Sequence, residues 1–275
     1  MKVFTAEKEG NAASEQVLPG VEGFLYLPSK LAKTGAVILL HERYGVVQHS
    51  QDLGRRLADE GYVALLPDLF AECDVDKELL KKGEVDARVT DDYAAGILGK
   101  CIDFLKSHEL VDPAKIVVLG VCLTGRYAIE MAGRRDDIAG SIILYGAASD
   151  RNWTVDEFQP EPMTEKISRM KAPSLLVFGE TDHSISLDNI IRVRDAYEAA
   201  RKSYRLRIVA EAPHGFLNDT MPGRYRHRQA AYVWSLIMEF LDEVFDRRWS
   251  SERVVWDFHC DSSVNYDFTK NVRFH

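Results

Sequence analysis

The sequence predicts an α/β protein built on one open, doubly wound and mostly parallel sheet flanked by helices. Short apolar runs alternate with amphipathic segments along the 275 residues, and the inner runs are apolar at every position. Strand–helix alternation produces parallel strands with right-handed crossovers, and a strand covered on both faces is apolar throughout. With 46% hydrophobic residues, the chain can bury a core without disulfides or metal.

Seven runs are predicted as strands and five segments as helices. The strands are 21–28, 36–42, 62–67, 115–121, 141–147, 174–179 and 206–211. The helices are 48–60, 90–108, 123–135, 186–201 and 224–246. Segments 70–89 and 148–165 interrupt this alternation after a strand, and either could act as a lid or simply connect elements. We interpret residues 1–246 as a single domain.

Residues 247–275 are predicted to form an extended C-terminal tail. Within Ser262–His275, apolar residues occupy even positions, namely Val264, Tyr266, Phe268, Val272 and Phe274. This period of two predicts an extended segment or an edge strand. Such a strand either folds back on its own domain or pairs with a second subunit, so that a monomer and a homodimer both stay open.

Charge and composition exclude several function classes. The net charge is −8, and a negative surface repels phosphate backbones, so we expect neither nucleic-acid nor membrane partners. No apolar run is long enough to span a bilayer, and the N-terminus has no secretory signal, which predicts a cytoplasmic protein. The four cysteines lack metal-site spacing, so we expect free thiols, no metal and no organic cofactor. The expected partner is a small molecule.

The strongest chemical signal follows the strand at 115–121. In doubly wound sheets, ligands bind at the carboxyl ends of the strands. Here the strand runs through Gly120-Val121-Cys122-Leu123-Thr124-Gly125 into a helix, the arrangement of a nucleophile elbow. A sharp turn lifts Cys122 off the sheet, and the helix N-terminus stabilises a thiolate. The N–H group of Leu123 can face a developing oxyanion.

Two further strand ends carry residues that can assist this cysteine. Asp182 follows the strand at 174–179, and His214 follows the strand at 206–211. The chain order of nucleophile, acid and histidine is the one that accompanies a nucleophile elbow. Asp182 could instead cap the next helix, His214 could be an ordinary loop histidine, and His183 is a rival base. We predict acyl transfer by Cys122 with His214 and Asp182.

These residues resemble the dienelactone hydrolases, or carboxymethylenebutenolidases, of the α/β-hydrolase superfamily. The matching pieces span residues 20–245 and are His41-Glu42-Arg43-Tyr44-Gly45, Ala64–Phe70, Gly120-Val121-Cys122-Leu123, Gly179-Glu180-Thr181-Asp182 and His214-Gly215-Phe216. The resemblance implies an α/β-hydrolase fold, a Cys–His–Asp triad and hydrolysis of a lactone or ester. It also implies that Glu42 contacts the cysteine and helps activate it when substrate binds. The implied oxyanion hole uses the N–H groups of Leu123 and Arg43.

The sequence departs from the family at three positions. Thr124 stands where the family usually has glycine, and Glu72 and Asn218 stand where better-known members have arginines that hold a substrate carboxylate. Losing two such donors and gaining an acid should weaken binding of the usual substrate. The residues expected to contact substrate are Tyr44, Glu72, Phe216 and Asn218. Two alternatives stay open, a hydrolase of another activated carbonyl, such as a thioester or a lactone from aromatic degradation, and a catalytically idle binding protein.

Overall fold

A computed structural model describes residues 2–5 by their backbone, and residues 18–30, 32–249 and 253–261. Nine strands occur in these residues: β1 Lys2–Thr5, β2 Gly23–Leu27, β3 Thr34–Leu40, β4 Val63–Pro67, β5 Val111–Val121, β6 Gly140–Leu144, β7 Ser174–Gly179, β8 Tyr204–Val209 and β9 Trp256–Cys260. They form one sheet in the order β1-β2-β4-β3-β5-β6-β7-β8-β9. Neighbouring strands run parallel except β2 and β4, which are antiparallel.

Helices cover both faces of the sheet. They are α1 Gln48–Asp59, α2 Lys77–Lys82, α3 Asp91–Ser107, α4 Gly125–Arg134, α5 Met163–Arg169, α6 Leu187–Ala199 and α7 His227–Phe245. Helices α1 and α7 pack on one face, through Leu57 and Ile237 among others. Helices α3 to α6 pack on the other face, with Leu98 and Ile129 in its core. The predicted class, a mostly parallel sheet flanked by helices, is confirmed.

Two short helices lie inside segments that the sequence pattern left irregular. Helix α2 has six residues, begins after Asp76, whose carboxylate accepts hydrogen bonds from the N–H groups of Glu78 and Leu79, and ends at Gly83 with φ 73°. Helix α5 occupies the end of segment 148–165 and continues beyond it. Helices of two turns are too short for an apolar periodicity to stand out in the sequence.

The tail beyond residue 246 contributes β9 to the edge of the sheet. Asp257 lies between two arginines of β8, with oxygen–nitrogen distances of 2.8 Å to both Arg205 and Arg207. These cross-strand ion pairs hold β9 in parallel register with β8. The extended segment predicted at 262–275 lies outside the described residues. No helix among the described residues is long and apolar enough to cross a bilayer.

Candidate active site

The turn after β5 forces Cys122 into a left-handed backbone conformation with φ 56°. Such a conformation costs a non-glycine residue about 1–3 kcal/mol, so tight packing around it must hold it in place. A Cβ added to Gly146 would lie 2.2 Å from the carbonyl oxygen of Cys122, and one added to Gly120 would lie 2.6 Å from that of Thr124. The turn therefore closes only because these neighbours lack side chains.

Thr124 fits this turn by bonding back to the strand. Its side chain is fully buried, and its hydroxyl donates to the carbonyl oxygen of Val121 at 3.0 Å. The Thr124 hydroxyl oxygen in turn accepts a hydrogen bond from the N–H of Val121 at 3.1 Å. The larger residue at the usual glycine position thus satisfies two backbone groups at the strand end and stabilises the elbow.

The structure brings together the three residues predicted to form the triad. His214 Nε2 lies 3.0 Å from Cys122 Sγ, and His214 Nδ1 lies 2.7 Å from Asp182 Oδ2. The other oxygen of Asp182 accepts hydrogen bonds from the N–H groups of Ser184 at 2.7 Å and Ile185 at 3.1 Å. With both oxygens occupied, the carboxylate is fixed toward the imidazole.

Asp182 does not cap helix α6, and His183 does not take the place of His214 at the sulfur. Helix α6 is capped by Ser186, whose hydroxyl accepts from the N–H of Asn189 at 3.2 Å. The His183 ring packs against the His214 ring at 5.9 Å, but the nitrogen bonded to the Cys122 sulfur belongs to His214.

The surroundings of His214 favour its protonated form. Burial alone opposes protonation, but the Asp182 carboxylate and the Cys122 sulfur outweigh it and hold the pKa of His214 well above its ordinary value. The imidazole also meets the edge of the Tyr145 ring, with centroids 5.3 Å apart, which restricts its orientation. The arrangement is that of an imidazolium held between a carboxylate and a sulfur.

The two backbone N–H groups predicted to form the oxyanion hole belong to Leu123 and Arg43. Leu123 lies in the first turn of a 3-10 helix, Cys122–Thr124, where N–H groups have no partner within the helix. The N–H of Arg43 donates no hydrogen bond to any other described residue. The Arg43 side chain turns away to Asp86, at 2.6 Å, and to the carbonyl oxygen of Gly83, at 3.3 Å. Backbone atoms of this residue thus stay free while its charge is neutralised.

Glu42 is buried and hydrogen-bonded to Asn218 instead of to the cysteine. The Asn218 amide donates to Glu42 Oε2 at 2.7 Å. The Asn218 carbonyl oxygen accepts from the N–H and the hydroxyl of Thr220, at 3.1 and 2.6 Å, which fixes the amide orientation. Since His214 already binds the sulfur, the contact of Glu42 in this structure is with the amide. Asn218 thus fills the position of an expected arginine with a neutral donor.

The other residues predicted to contact substrate divide between two places. Phe216 is fully buried, and its ring centroid lies 5.5 Å from that of Tyr145, beside His214. Tyr44 lies under the Arg43 guanidinium at 5.7 Å. Glu72 is exposed and hydrogen-bonds the Tyr93 hydroxyl. Phe216 thus packs on the ring that contacts His214, and Asn218 contacts Glu42. Tyr44 instead contacts the adjacent Arg43, and Glu72 contacts Tyr93 of helix α3.

Sequence reasoning missed Tyr145. The predicted strand ran to residue 147, but positive φ values of 38° at Tyr145 and 59° at Ala147 end the strand at Leu144. Tyr145 is fully buried, and its hydroxyl has no hydrogen-bond partner among the described residues. Burial, together with the charges of Glu42, Cys122 and Asp182, raises the pKa of Tyr145 well above its ordinary value. A shorter strand assignment would have placed this tyrosine among the strand-end residues.

The described residues hold no group of three His, Cys, Asp or Glu side chains arranged to bind a metal ion. The fit of the site to hydrolysis depends on the cysteine, the imidazole and the two N–H groups. These are the components that acyl transfer requires, namely a nucleophile, a proton carrier and an oxyanion site.

Comparison with known proteins gives a consistent family. A protein from Methylorubrum extorquens named "putative carboxymethylenebutenolidase" is 26% identical over 246 residues, covering 86% of this chain and 83% of that protein. A solved structure of a Klebsiella pneumoniae protein named "putative dienelactone hydrolase" superimposes with a TM-score of 0.71 at 25% identity, covering 79% of this chain and 90% of that one.

A dienelactone hydrolase-like promiscuous phosphotriesterase from metagenomic libraries shares the fold, with a TM-score of 0.63 at 19% identity over 78% of this chain and 88% of that one. The model of the dienelactone hydrolase family matches residues 21–245, which include every residue of the predicted triad. The chain therefore belongs to the dienelactone hydrolase family, and is an ester or lactone hydrolase with the α/β-hydrolase fold.

Proposed function

We propose that this chain hydrolyses a lactone or ester through a thioester acyl-enzyme on Cys122. The observation that carries the proposal is the continuous hydrogen-bonded series from sulfur to imidazole to carboxylate, at 3.0 and 2.7 Å. It starts from a residue held at a positive φ at the end of a strand. A strained backbone at this point is typical of nucleophile elbows, where the strain aims the side chain at the substrate.

In the first half-reaction, the Cys122 thiolate adds to the carbonyl carbon, and the oxyanion accepts hydrogen bonds from the N–H groups of Leu123 and Arg43. The tetrahedral intermediate collapses, the bond from carbon to the leaving oxygen breaks, and that oxygen takes the proton of His214. In a lactone the alcohol stays attached to the acyl group. Asp182 keeps the imidazole oriented and stabilises its positive charge.

In the second half-reaction, His214, now neutral, removes a proton from water as the water attacks the thioester carbonyl. Collapse of this intermediate breaks the carbon–sulfur bond and releases the carboxylic acid, with the thiolate and imidazolium restored. Glu42 is proposed to assist activation of the sulfur when substrate enters, because its buried carboxylate faces the loop that begins at His214. Its hydrogen bond to Asn218 holds it ready for that contact.

The substrate is proposed to differ from that of the better-known members of the family. Asn218 gives its amide to Glu42, and Glu72 contacts Tyr93, so that neither position offers a cation to a substrate carboxylate. A reactive lactone or small ester is the expected class. A thioester would follow the same steps with a thiol leaving group.

The proposal is tested with Cys122→Ala and a matched control, Cys260→Ala, whose thiol is exposed on β9. Across a panel of small lactones and esters, Cys122→Ala should lower kcat by roughly 1000-fold or more, and Cys260→Ala should leave it unchanged. Mass spectrometry of the quenched wild type should detect the acyl group on Cys122. Turnover by Cys122→Ala at the wild-type rate, or acylation of a different side chain, would refute the mechanism.

A further inference from the structure

Two oppositely charged side chains, Arg224 and Glu42, lie next to Gly215, the residue that follows His214. A Cβ added to Gly215 would lie 3.7 Å from Arg224 Cδ, 3.9 Å from Arg224 Nη1 and 3.9 Å from Glu42 Oε1. The guanidinium nitrogen and the carboxylate oxygen are thus at most twice 3.9 Å, or 7.8 Å, apart. Both groups therefore lie next to the residue that directly follows His214, whose imidazole binds the Cys122 sulfur.

Each of the two side chains has polar atoms that make no hydrogen bond with the described part of the chain. Glu42 Oε2 is occupied by Asn218, but Oε1 accepts no hydrogen bond from another described residue. The Arg224 guanidinium likewise makes no hydrogen bond or ion pair with the described part of the chain. Many other arginines of this protein pair with carboxylates, such as Arg205 and Arg207 with Asp257. An unpaired arginine beside a buried acid in a catalytic site points to a ligand that bridges them.

The loop backbone fixes this arrangement. The N–H of Asn218 donates to the carbonyl oxygen of Gly215 at 2.9 Å, that of Arg224 to Met221 at 2.9 Å, and that of Arg226 to Phe216 at 3.0 Å. Consecutive turns therefore return the chain over its own start, which places Arg224 above Gly215. Gly215 itself has φ 75°, and the absence of a side chain there keeps the gap open.

We propose that Arg224 and Glu42 Oε1 bind a substrate that carries a hydroxyl next to a carboxylate, so that the ester or lactone belongs to an α-hydroxy acid. The inference rests on the proposed function, since it names the substrate class of the same site. Arg224 donates to the carboxylate, and Glu42 Oε1 accepts from the hydroxyl, so that the contact proposed between Glu42 and the sulfur is left to Oε2. Two hydrogen bonds of about 2.8 Å each, with two ligand oxygens on neighbouring carbons between them, can bridge a separation up to the 7.8 Å limit.

We include a hydroxyl in the substrate because Glu42 lies close to Arg224. A ligand with only a carboxylate would leave Glu42 Oε1 without a donor and would bring a second negative charge near it. A hydroxyl supplies that donor and separates the two carboxylates. A single guanidinium also matches one carboxylate in a two-pronged fashion, whereas a doubly charged phosphate would be repelled by Glu42.

Four ethyl esters test the two contacts separately. In 4-ethyl malate the hydroxyl and carboxylate are both present, and monoethyl succinate lacks only the hydroxyl. Ethyl 3-hydroxybutyrate lacks only the carboxylate, and ethyl butyrate lacks both. For the wild type, kcat/KM should be highest for 4-ethyl malate, with each missing group lowering it about 10- to 100-fold, the range of a charge-assisted hydrogen bond.

Arg224→Met should lower kcat/KM about 10- to 100-fold for the two esters that carry a carboxylate, mainly through KM, and less than about threefold for the other two. Arg228→Met removes the same charge from an exposed position in the first turn of α7 and should change none of the four values. An equal loss on all four esters would mean that Arg224 only supports the loop. That result would overturn the inference. So would an Arg224→Met variant with unchanged kcat/KM, or a wild type whose kcat/KM does not depend on the hydroxyl.

A binding measurement separates failure of this inference from failure of the catalytic proposal. The monoamides of malate and succinate resist hydrolysis, and their Kd values can be measured by calorimetry with the intact protein. Tighter binding of malate monoamide, weakened about 10- to 100-fold by Arg224→Met, supports the site even if no ester is turned over. Turnover of all four esters at similar rates, with no binding of either monoamide, retains the catalytic proposal and rejects the α-hydroxy acid.

Discussion

The elbow, Gly120–Gly125, and the loop 215–226 build the same site by different means. In the elbow, backbone contacts decide the geometry, since Gly146 and Gly120 approach neighbouring carbonyl oxygens too closely for any side chain. In the loop, backbone hydrogen bonds also close the turns, but the side chains that these turns carry can be replaced without changing the backbone. In the proposed mechanism, the elbow determines which reaction is possible, and the loop determines which molecule undergoes it.

This difference predicts two different effects of substitutions on kcat/KM. A change in the elbow or the triad should lower kcat/KM by a similar factor for every substrate, because it alters the transition state common to all of them. A change in the loop should alter the ratio between substrates. Each variant below is to be measured on a charged and a neutral ester, so that both quantities are available.

The largest effect is expected for Asp182→Asn, which keeps the shape of the side chain but removes its charge. The amide would face His214 Nδ1 and favour the wrong tautomer, so kcat/KM should fall by about 100-fold or more on both esters. Asp188→Asn, at an exposed position in the first turn of α6, is the matched control and should leave the rate unchanged. Unequal losses on the two esters would contradict the expectation that a change in the triad affects every substrate by a similar factor.

The same variant has a defined pH dependence. Burial lowers the pKa of His214, but Asp182 and the sulfur outweigh it, so the imidazolium persists above its ordinary pKa of about 6.5. The leaving oxygen needs that proton, so kcat/KM should fall as pH rises through the elevated pKa. Removing Asp182 leaves burial less opposed, and the alkaline limb of the pH profile should move to lower pH. A limb that moves upward would contradict this electrostatic account.

Next in size is Gly146→Ala. The added methyl would lie 2.2 Å from the carbonyl oxygen of Cys122, so that the elbow must shift, with a loss of about 1–3 kcal/mol in the free energy of unfolding and at least about tenfold in kcat. Gly96→Ala is the control, because nothing lies within 4 Å of a Cβ there and alanine suits helix α3. It should stabilise the protein by about 0.5–1 kcal/mol. Thermal denaturation and esterase rates measure both.

Much of the site could be predicted from sequence because its chemistry depends on strand ends. Apolar runs locate the strands, and the residues that follow them in chain order locate Cys122, Asp182 and His214 without any knowledge of side-chain packing. The same reasoning located the start and end of most helices to within a few residues. Backbone topology alone brings residues 92 positions apart to a 3.0 Å contact between Cys122 and His214.

The rest could not be predicted because it depends on local backbone conformation and on loops. The sequence predicts Tyr145 to lie within an apolar strand. In the structure, its positive φ ends that strand at Leu144. Arg224 stands ten residues after His214, and nothing in the spacing indicates that consecutive turns return it to Gly215. The partner of Glu42 also depends on the Asn218 amide orientation, which is fixed by Thr220. Such side-chain choices have no periodicity to detect.

Asn218→Leu is expected to have an intermediate effect and to act as a loop change. The substitution leaves Glu42 Oε2 without its donor, which should cost about 1–3 kcal/mol of stability. A freed Glu42 carboxylate would then approach Arg224, so the charged ester should lose about tenfold in kcat/KM while the neutral ester loses much less. Asn189→Leu, which removes an exposed amide bonded to Asp150, is the control. An equal loss on both esters would assign Asn218 to the catalytic machinery.

The smallest effect on rate is expected for Thr124→Val, which keeps the volume and removes the hydroxyl. The N–H and carbonyl oxygen of Val121 then lose their partner in a buried place, which should lower the free energy of unfolding by about 1–3 kcal/mol. Thr124→Ser retains the hydroxyl and should recover most of that stability. Because the glycine contacts still hold Cys122, kcat/KM should fall only about threefold, and equally on both esters. A change in the ratio between the esters would show that Thr124 reaches the substrate, and the elbow would then share the selective role assigned to the loop.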